Sequence, residues 1–267
     1  MAVEDNSYFA RERLRVLEQV PTREELEKGL WKAHGPDHDS DVRHEMEENA
    51  FWGDRWCGRI GVWRGDITKL QVGGIVNAAN EGLLGGGGID EAVHKGAGRV
   101  LQYECAVATT VRESLCLPGQ TVVTRAYNLP ASYVLHTVAP YLDEDGNTQD
   151  DVMAACYRGI LEAAAEFQID TVAIPSIGTG FYGFPMPKAA SLAVNVVAEW
   201  VETDLARTET AVGRDAQWQY PRRVVFVAWT KSQEKLYLKA LSRRETESDD
   251  HSDDHSDDHG DDHGDDQ

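Results

Sequence analysis

Four consecutive glycines, Gly85 to Gly88, run directly into Ile89 and Asp90, and Asn80 stands a few residues before them. Residues without a Cβ let the backbone approach a ligand closely and aim N–H groups at it, which is the chemistry of a phosphate or diphosphate cradle. A flexible turn is the plainer reading of a glycine run alone. The amide of Asn80 on one side and the carboxylate of Asp90 on the other favour the ligand. A second stretch, Ile177-Gly178-Thr179-Gly180-Phe181-Tyr182-Gly183-Phe184-Pro185, again combines backbone donors with a hydroxyl and adds aromatic rings. Two opposed loops of this kind can clamp a diphosphate. Neither continues into the Gly-Lys-Ser/Thr of a Walker A loop, and neither gives GxGxxG with its acidic ribose ligand in the usual place.

The elements that position these loops alternate. Arg59 to Arg64 reads as a strand leading into Gly65-Asp66-Ile67-Thr68, and Gly74 to Ala78 as a buried strand leading into Asn80 and the glycines. Asp90 to about Arg112 reads as helical, interrupted near Gly96 to Gly98. Gln120–Ala126 and Tyr133–Val138 form two strands joined at Asn128-Leu129-Pro130. A helix from about Asp150 to Phe167 precedes the strand Thr171–Pro175. Pro187 fits the first turn of a helix running to about Glu202. Arg223–Trp229 is a last apolar strand, followed by a helix over Ser232–Leu241. This alternation predicts one α/β domain with a central mixed sheet covered on both faces. Ligands of open α/β sheets sit outside the carboxyl ends of strands, and both glycine loops, Asp66 and Trp229 fall there.

The ends differ in kind. Residues from about 7 to 50 carry Leu14, Leu17, Leu26 and Leu30 at spacings of amphipathic helices, with Thr22 and Glu25 as a capping box. Trp31, Phe51, Trp52 and Trp56 argue against disorder there, so the segment is expected to dock as a helical extension. His34, His38 and His44 with Asp37, Asp39 and Asp41 imitate a metal site, but a solvated loop after Gly35-Pro36 is the simpler account. The tail repeats Ser-Asp-Asp-His and then Gly-Asp-Asp-His, and is expected to be disordered. Its His251, His255, His259 and His263 suit weak metal binding, while composition favours a solubilising acidic tail.

The formal net charge is −20, and ten Asp between Ser248 and Gln267 account for half of it. The remaining chain is moderately acidic, which argues against a basic grip on nucleic-acid phosphates. A small anion held by backbone N–H groups remains compatible with it. Cys57, Cys105, Cys116 and Cys156 are widely spaced, without CxxC pairs, and read as reduced structural thiols. No apolar run has the length of a membrane span, and the first residues lack the order of a secretory signal. A soluble intracellular protein, cytoplasmic or nuclear, is the expectation.

In order and spacing, five motifs closely resemble the macrodomain family of ADP-ribose-binding proteins, in its hydrolytic MacroD-type branch. They are Gly65 to Thr68, Ile75 to Asn80, Leu84 to Asp90 with His94, Leu129 to Ala131 with His136 to Val138, and Ile177 to Pro185. The resemblance covers residues 58–242. It leaves 1–57 as the helical extension and 243–267 as the tail. It implies a three-layer α/β/α sandwich whose cleft holds ADP-ribose.

Carried over, Asp66 accepts from the adenine amino group, the Ile67 backbone adds a second adenine contact, and Trp229 stacks on the ring. Asp66 also reads as a helix N-cap. The diphosphate lies between Gly86, Gly87, Gly88 and Ile89 on one side and Ser176, Gly178, Thr179, Gly180, Phe181 and Tyr182 on the other. Asn80 bonds the distal ribose with Asp90 beside it, and Phe181 or Tyr182 shields that sugar. Asn77 ties the loop together, and His94 either orients Asp90 or simply packs.

The implied activity is metal-independent removal of ADP-ribose from Asp or Glu side chains, and deacetylation of O-acetyl-ADP-ribose, with Asn80 and Asp90 as catalytic residues. A non-catalytic ADP-ribose reader is the alternative. Asp90 or the substrate's own phosphate activates the water, because an exposed Asp near its normal pKa is a weak base at neutral pH. No metal and no cofactor are expected, since no ligand cluster interrupts Asn80–Asp90. ADP-ribosylated proteins are the expected partners of a monomer that binds neither membrane nor nucleic acid. One departure stands out: Glu91 follows Asp90 where the branch usually has a small residue, which bears on rate and preference.

Overall fold

A computed structural model describes residues 51–111, 115–210 and 219–249. Seven strands form one sheet: β1 (Phe51–Trp52), β2 (Ile60–Arg64), β3 (Gly74–Ala78), β4 (Thr121–Arg125), β5 (Tyr133–Thr137), β6 (Thr171–Pro175) and β7 (Arg223–Ala228). Their order across the sheet is β1-β2-β7-β6-β3-β5-β4. The inner five run parallel, while β1 and β4 pair antiparallel at the two edges. The helices are α1 (Ile89–Ala97), α2 (Arg99–Val111), α3 (Asp150–Glu166), α4 (Met186–Thr210) and α5 (Lys231–Asp249).

Period-two alternation sends successive strand residues to opposite faces, and both faces are covered. Ile60, Val62, Val76, Leu135, Val172, Ile174, Val224 and Phe226 pack beneath α3, α4 and α5 with Tyr157, Val194, Val197 and Tyr237. Trp63, Ile75, Val134, Ala173, Val225 and Val227 pack beneath α1 and α2 with Val93, Ala97, Leu101 and Cys105. The result is the expected three-layer α/β/α sandwich. Parallel pairing also brings the carboxyl ends of β2, β7, β6, β3 and β5 to one edge. There the chain turns outward to β5 from β3 and back through β6 and β7, which opens a crevice between β3 and β6.

The domain begins earlier than the sequence indicated. Phe51–Trp52 pairs with Gly61 and Val62, and the fully buried Trp56 donates from its indole to Glu202 at 3.1 Å. Residues 51–57, assigned to the extension, are therefore part of the sandwich, while the helices expected before them fall outside the described residues. Likewise α5 continues past the expected end at Leu241 to Asp249, so the first residues assigned to a disordered tail are helical. Arg244 explains part of this extension, because its guanidinium binds Glu202 of α4 at 2.7 Å. The Asp/His repeats from Asp250 onward lie outside the described residues, as do the His34–His44 group and Trp31.

Helix α4 also overruns its expected end, reaching Thr210. Its Asp204 is buried and paired with Arg59, which is 0% exposed, at 2.7 Å. The same guanidinium donates to the carbonyls of Arg222, Gln219 and Pro221. Arg207 adds a second ion pair to Asp204 at 2.8 Å. This buried cluster ties α4 to the segment that delivers β7, and hence Trp229, to the crevice.

Candidate active site

The loop after β3 is built by hydrogen bonds before any ligand is considered. Asn80 donates to the Gly85 carbonyl at 2.7 Å, and Leu83 N–H closes a turn on Asn80 at 3.1 Å. Gly88, the N-cap of α1, has φ +65°, a conformation that side-chain-bearing residues rarely adopt. Gly86, Gly87 and Gly88 are exposed. A Cβ on Gly86 would stand 3.0 Å from Asp90 Oδ2, so absence of a side chain there keeps the carboxylate approachable. The free N–H groups of the first turn of α1 and the helix dipole point the same way, toward an anion.

Across the crevice, the loop after β6 closes on itself through Ile177, Gly183 and Phe184 N–H groups. Thr179 turns its hydroxyl back to the Ser176 carbonyl at 2.9 Å, and Ser176 Oγ accepts from Tyr237 at 3.3 Å. The Thr179 hydroxyl is thus spent inside the protein, the Ser176 oxygen accepts from Tyr237 and keeps its own hydrogen, and Gly180 and Phe181 at the tip of the loop are exposed. The two loops touch where the Tyr182 hydroxyl reaches the Ala79 carbonyl at 3.5 Å. Phe181 is 92% exposed at the rim.

At the other end of the crevice, Arg64 of β2 lies beside Ala228 of β7 in register, so the residues that follow them are neighbours. These are Asp66, Ile67 and Trp229. Asp66 Oδ1 accepts from Thr68 N at 3.0 Å and Thr68 Oγ1 at 2.7 Å, the N-cap arrangement. Trp229 presents an indole that is 70% exposed, with its backbone N–H fixed by Gln233 at 2.8 Å.

Asp90 is not the exposed carboxylate that its loop position implied. It is 4% exposed, and burial pushes its carboxyl up to about 6 against the lowering effect of the Asn77 hydrogen bond. Asn77 Nδ2 donates to Asp90 Oδ1 at 2.7 Å, and Asn80 Nδ2 stands 3.4 Å from Asp90 Oδ2. The residue that fixes Asp90 is therefore Asn77. His94 Nε2 lies 3.5 Å from Asp90 Oδ1, but burial brings the imidazole down to about 4, so it is neutral at physiological pH. Both of its ring nitrogens are buried without a hydrogen-bond partner. Glu91, one residue on, is exposed at the start of α1.

Tyr141 was not singled out by sequence, and His136 entered only as part of a motif, with no role of its own. Tyr141, just beyond β5, packs on Tyr182 with ring centroids 4.1 Å apart, and its place at the carboxyl end of a parallel strand was the available signal. His136 pairs with Asn77 across β3 and β5 and faces it at 3.1 Å through Nδ1. Among the described residues His94, Cys105 and His136 bring one donor atom each to within 4.8 Å, a set whose chemistry could suit a metal. His136, however, also engages Thr124 Oγ1 at 2.9 Å through Nε2, so both of its nitrogens already have protein partners.

An open α/β sheet with two opposed glycine loops at its strand ends, an aromatic at each end of the crevice and a buried carboxylate between them defines a nucleotide-type binding cleft. Comparison with known proteins gives the family. The sequence model described as Macro domain matches residues 76–193. A "Macro domain-containing protein" of Methanosarcina mazei is 40% identical over 185 residues, covering 69% of this chain and 89% of that protein. "ADP-ribose glycohydrolase MACROD1" of Bos taurus is 36% identical over 200 residues, which are 74% of this chain and 56% of that longer protein. Among solved structures, the Trypanosoma brucei macrodomain in complex with ADP-ribose superposes with a TM-score of 0.63 at 29% identity, over 86% of this chain and 90% of that one. The Oceanobacillus iheyensis macrodomain with ADP gives 0.60 at 30% identity, covering 70% and 92%. The chain belongs to the macrodomain family and is of the MacroD type.

Proposed function

We propose that this chain binds ADP-ribose in the crevice and hydrolyses the ester that joins ADP-ribose to Asp or Glu side chains, and also O-acetyl-ADP-ribose. The observation that carries the reading is the buried Asp90, held by Asn77 at 2.7 Å and reached by Asn80 at 3.4 Å beside the exposed glycines Gly86 to Gly88. Adenine lies between Asp66 with the Ile67 backbone and the face of Trp229. Asp66 Oδ1 is occupied by Thr68, so Oδ2 is the acceptor for the exocyclic amine. The diphosphate lies between Gly86–Ile89 and Ser176–Tyr182, held by backbone dipoles.

The distal ribose then rests against Asn80, with Tyr182 and Phe181 over it and Asp90 beside its reacting carbon. A carboxylate titrating near 6 is ionised at neutral pH and better matched to proton abstraction than one of ordinary basicity. Asp90 takes a proton from water as the oxygen attacks the ribose carbon; the bond from that carbon to the carboxyl oxygen breaks, ADP-ribose gains the water's hydroxyl, the side chain leaves as a carboxylate, and Asp90 returns its proton to solvent. With O-acetyl-ADP-ribose the same water attacks the acetyl carbonyl, acetate leaves and the ribose oxygen takes up the proton. The relatives support this reading through the ADP-ribose and glycohydrolase in their names, although MACROD1 is nearly twice the length that is matched.

The test is release of ADP-ribose from a glutamate-modified protein by the full chain and by Asp90→Ala. Hydrolysis by the parent and its loss in a variant that still binds ADP-ribose support the reading. Intact binding with turnover equal to buffer would make the chain a reader of the modification.

A further inference from the structure

Asn77 makes two hydrogen bonds with one nitrogen. Its Nδ2 reaches Asp90 Oδ1 at 2.7 Å and His136 Nδ1 at 3.1 Å, while its Oδ1 is buried without a partner. The amide is therefore oriented by its two neighbours rather than by its own needs, and a rotated amide would set Oδ1 against Asp90. His136 is fully buried, and burial followed by the nearby His94 brings it down to about 3, so the ring is neutral. One nitrogen of a neutral ring donates and the other accepts. The neighbours set which. With Nδ1 accepting from the Asn77 amide, Nε2 carries the proton and donates to Thr124 Oγ1 at 2.9 Å, while the Thr124 hydrogen reaches the Arg125 carbonyl at 3.3 Å and Cys105 Sγ stands farther from Nε2 at 3.7 Å.

We propose that Thr124, His136 and Asn77 form a positioning relay for the reaction proposed above, in which the tautomer of His136 fixes the Asn77 amide so that it always presents a donor to Asp90. A hydrogen bond donated to the ionised form favours that form. The relay thus holds Asp90 as a carboxylate with one lone pair of Oδ1 occupied, and directs Oδ2 toward Asn80 and the open side of Gly86. Without it, a buried carboxylate would protonate at still higher pH and rotate freely. His136 touches no ligand in this arrangement, and its effect is exerted wholly through Asn77.

The other groups around Asp90 act differently. His94 on α1 is neutral and unbonded, Cys105 on α2 is a protonated thiol raised by burial, and Tyr182 from the opposite loop is also raised by burial. Glu81 lies on the Tyr182 side. None of these supplies a donor to Oδ1 in the way that Asn77 does.

The experiment measures the Asp90 carboxyl titration by NMR in the full ligand-free chain, together with the pH profile of turnover, in Asn77→Ala, Thr124→Val, His136→Leu and His136→Gln. The relay requires the Asp90 midpoint to rise by about one unit in Asn77→Ala and His136→Leu, and by less in Thr124→Val. Turnover should fall several-fold more near pH 6 than near pH 8. Gln at position 136 restores an acceptor for Asn77 and should bring the midpoint back toward the parent value. An unmoved midpoint in Asn77→Ala and Thr124→Val, or a drop in turnover equal at every pH, overturns the relay. Should Asn77→Ala not fold, the near-isosteric Thr124→Val decides alone. The titration needs no turnover, so absence of hydrolysis in the parent would remove the proposed function without deciding the relay.

Discussion

Asn80 Nδ2 lies 3.4 Å from Asp90 Oδ2 while holding the Gly85 carbonyl at 2.7 Å. The amide proposed to meet the ribose is thus braced by the glycine loop and reaches the carboxylate across it. Loop shape and the placement of Asp90 are coupled through this one side chain.

The first prediction concerns pH. Asp90 acts as a base only when ionised, and its carboxyl titrates at about 6. Turnover should therefore fall as pH drops through about 6, and Asp90→Asn should lose about 10²–10⁴-fold of the rate. A flat profile between pH 5 and 7 would shift the role of base to the substrate phosphate.

Stability should respond in the opposite sense to activity. The folded-state carboxyl is raised above its ordinary 3.8, so its contribution is fully present below that value and is lost as pH rises through about 6. Above this window the buried charge is a net cost. Asp90→Asn should then be more stable than the parent by on the order of 2 kcal/mol at neutral pH, with the difference vanishing near pH 4. Urea unfolding at the two pH values reads this directly, and equal stabilities at neutral pH would contradict it.

Asp66 caps Thr68 and is proposed to accept from adenine, two tasks that substitution can separate. Asp66→Ala removes both the cap on Thr68 and the acceptor for adenine, whereas Asp66→Asn keeps a capping oxygen. Calorimetry should find ADP-ribose binding weakened by about 1.5–3 kcal/mol in Asp66→Ala. For Trp229→Ala the loss should be about 0.5–1.5 kcal/mol. Asp66→Asn should bind weakly yet melt with the parent. Unchanged affinity in all three would move adenine elsewhere.

A methyl group tests the approach to the carboxylate. In Gly86→Ala the new Cβ meets Asp90 Oδ2 at 3.0 Å and Asn80 Nδ2 at 3.3 Å. The backbone of Gly86 is not in the left-handed region, so folding should be little affected. Turnover should fall at least tenfold, equivalent to about 1.4 kcal/mol of barrier. Parent-like kinetics would show that the loop relaxes around the methyl.

The buried pair far from the cleft should matter for folding alone. Asp204 is held below the usual carboxylate range: burial would raise it, but Arg207 and Arg59 outweigh that effect. Asp204→Ala removes the buried carboxylate that balances the Arg59 charge and should cost about 3–5 kcal/mol in chemical denaturation. A loss within the range of a surface substitution would mean that the carbonyls around Arg59 suffice.

The sandwich and its crevice were legible because the strands announce themselves. Val224 to Ala228, after two arginines, and Val172 to Pro175, between Thr171 and Ser176, are short apolar runs, and Gly98 breaks the helical pattern where α1 ends. Edge strand β1 was not legible, since two residues carry no alternation, and only its pairing with β2 reveals it. The ends of α4 and α5 were missed because Asp204 and Arg244 prolong them through tertiary ion pairs that no local propensity encodes. Asn77 and His136 lie far apart in sequence, and only the β3–β5 register makes them neighbours. Burial of Asp90 was hidden for the same reason. A residue after four glycines looks exposed until the helix that it begins is packed against the sheet.

The two glycine loops contain no Lys or Arg between Gly85 and Asp90 or between Ser176 and Pro185. A diphosphate held there, as proposed, would meet peptide dipoles and the start of α1 rather than a basic side chain. The chain outside its Asp-rich tail is itself acidic, so salt acts on such a complex by screening repulsion rather than by loosening an ion pair. Recognition rests on the shape of the anion rather than on its charge alone, and free inorganic phosphate in the surroundings competes poorly for a cradle that it fills only in part.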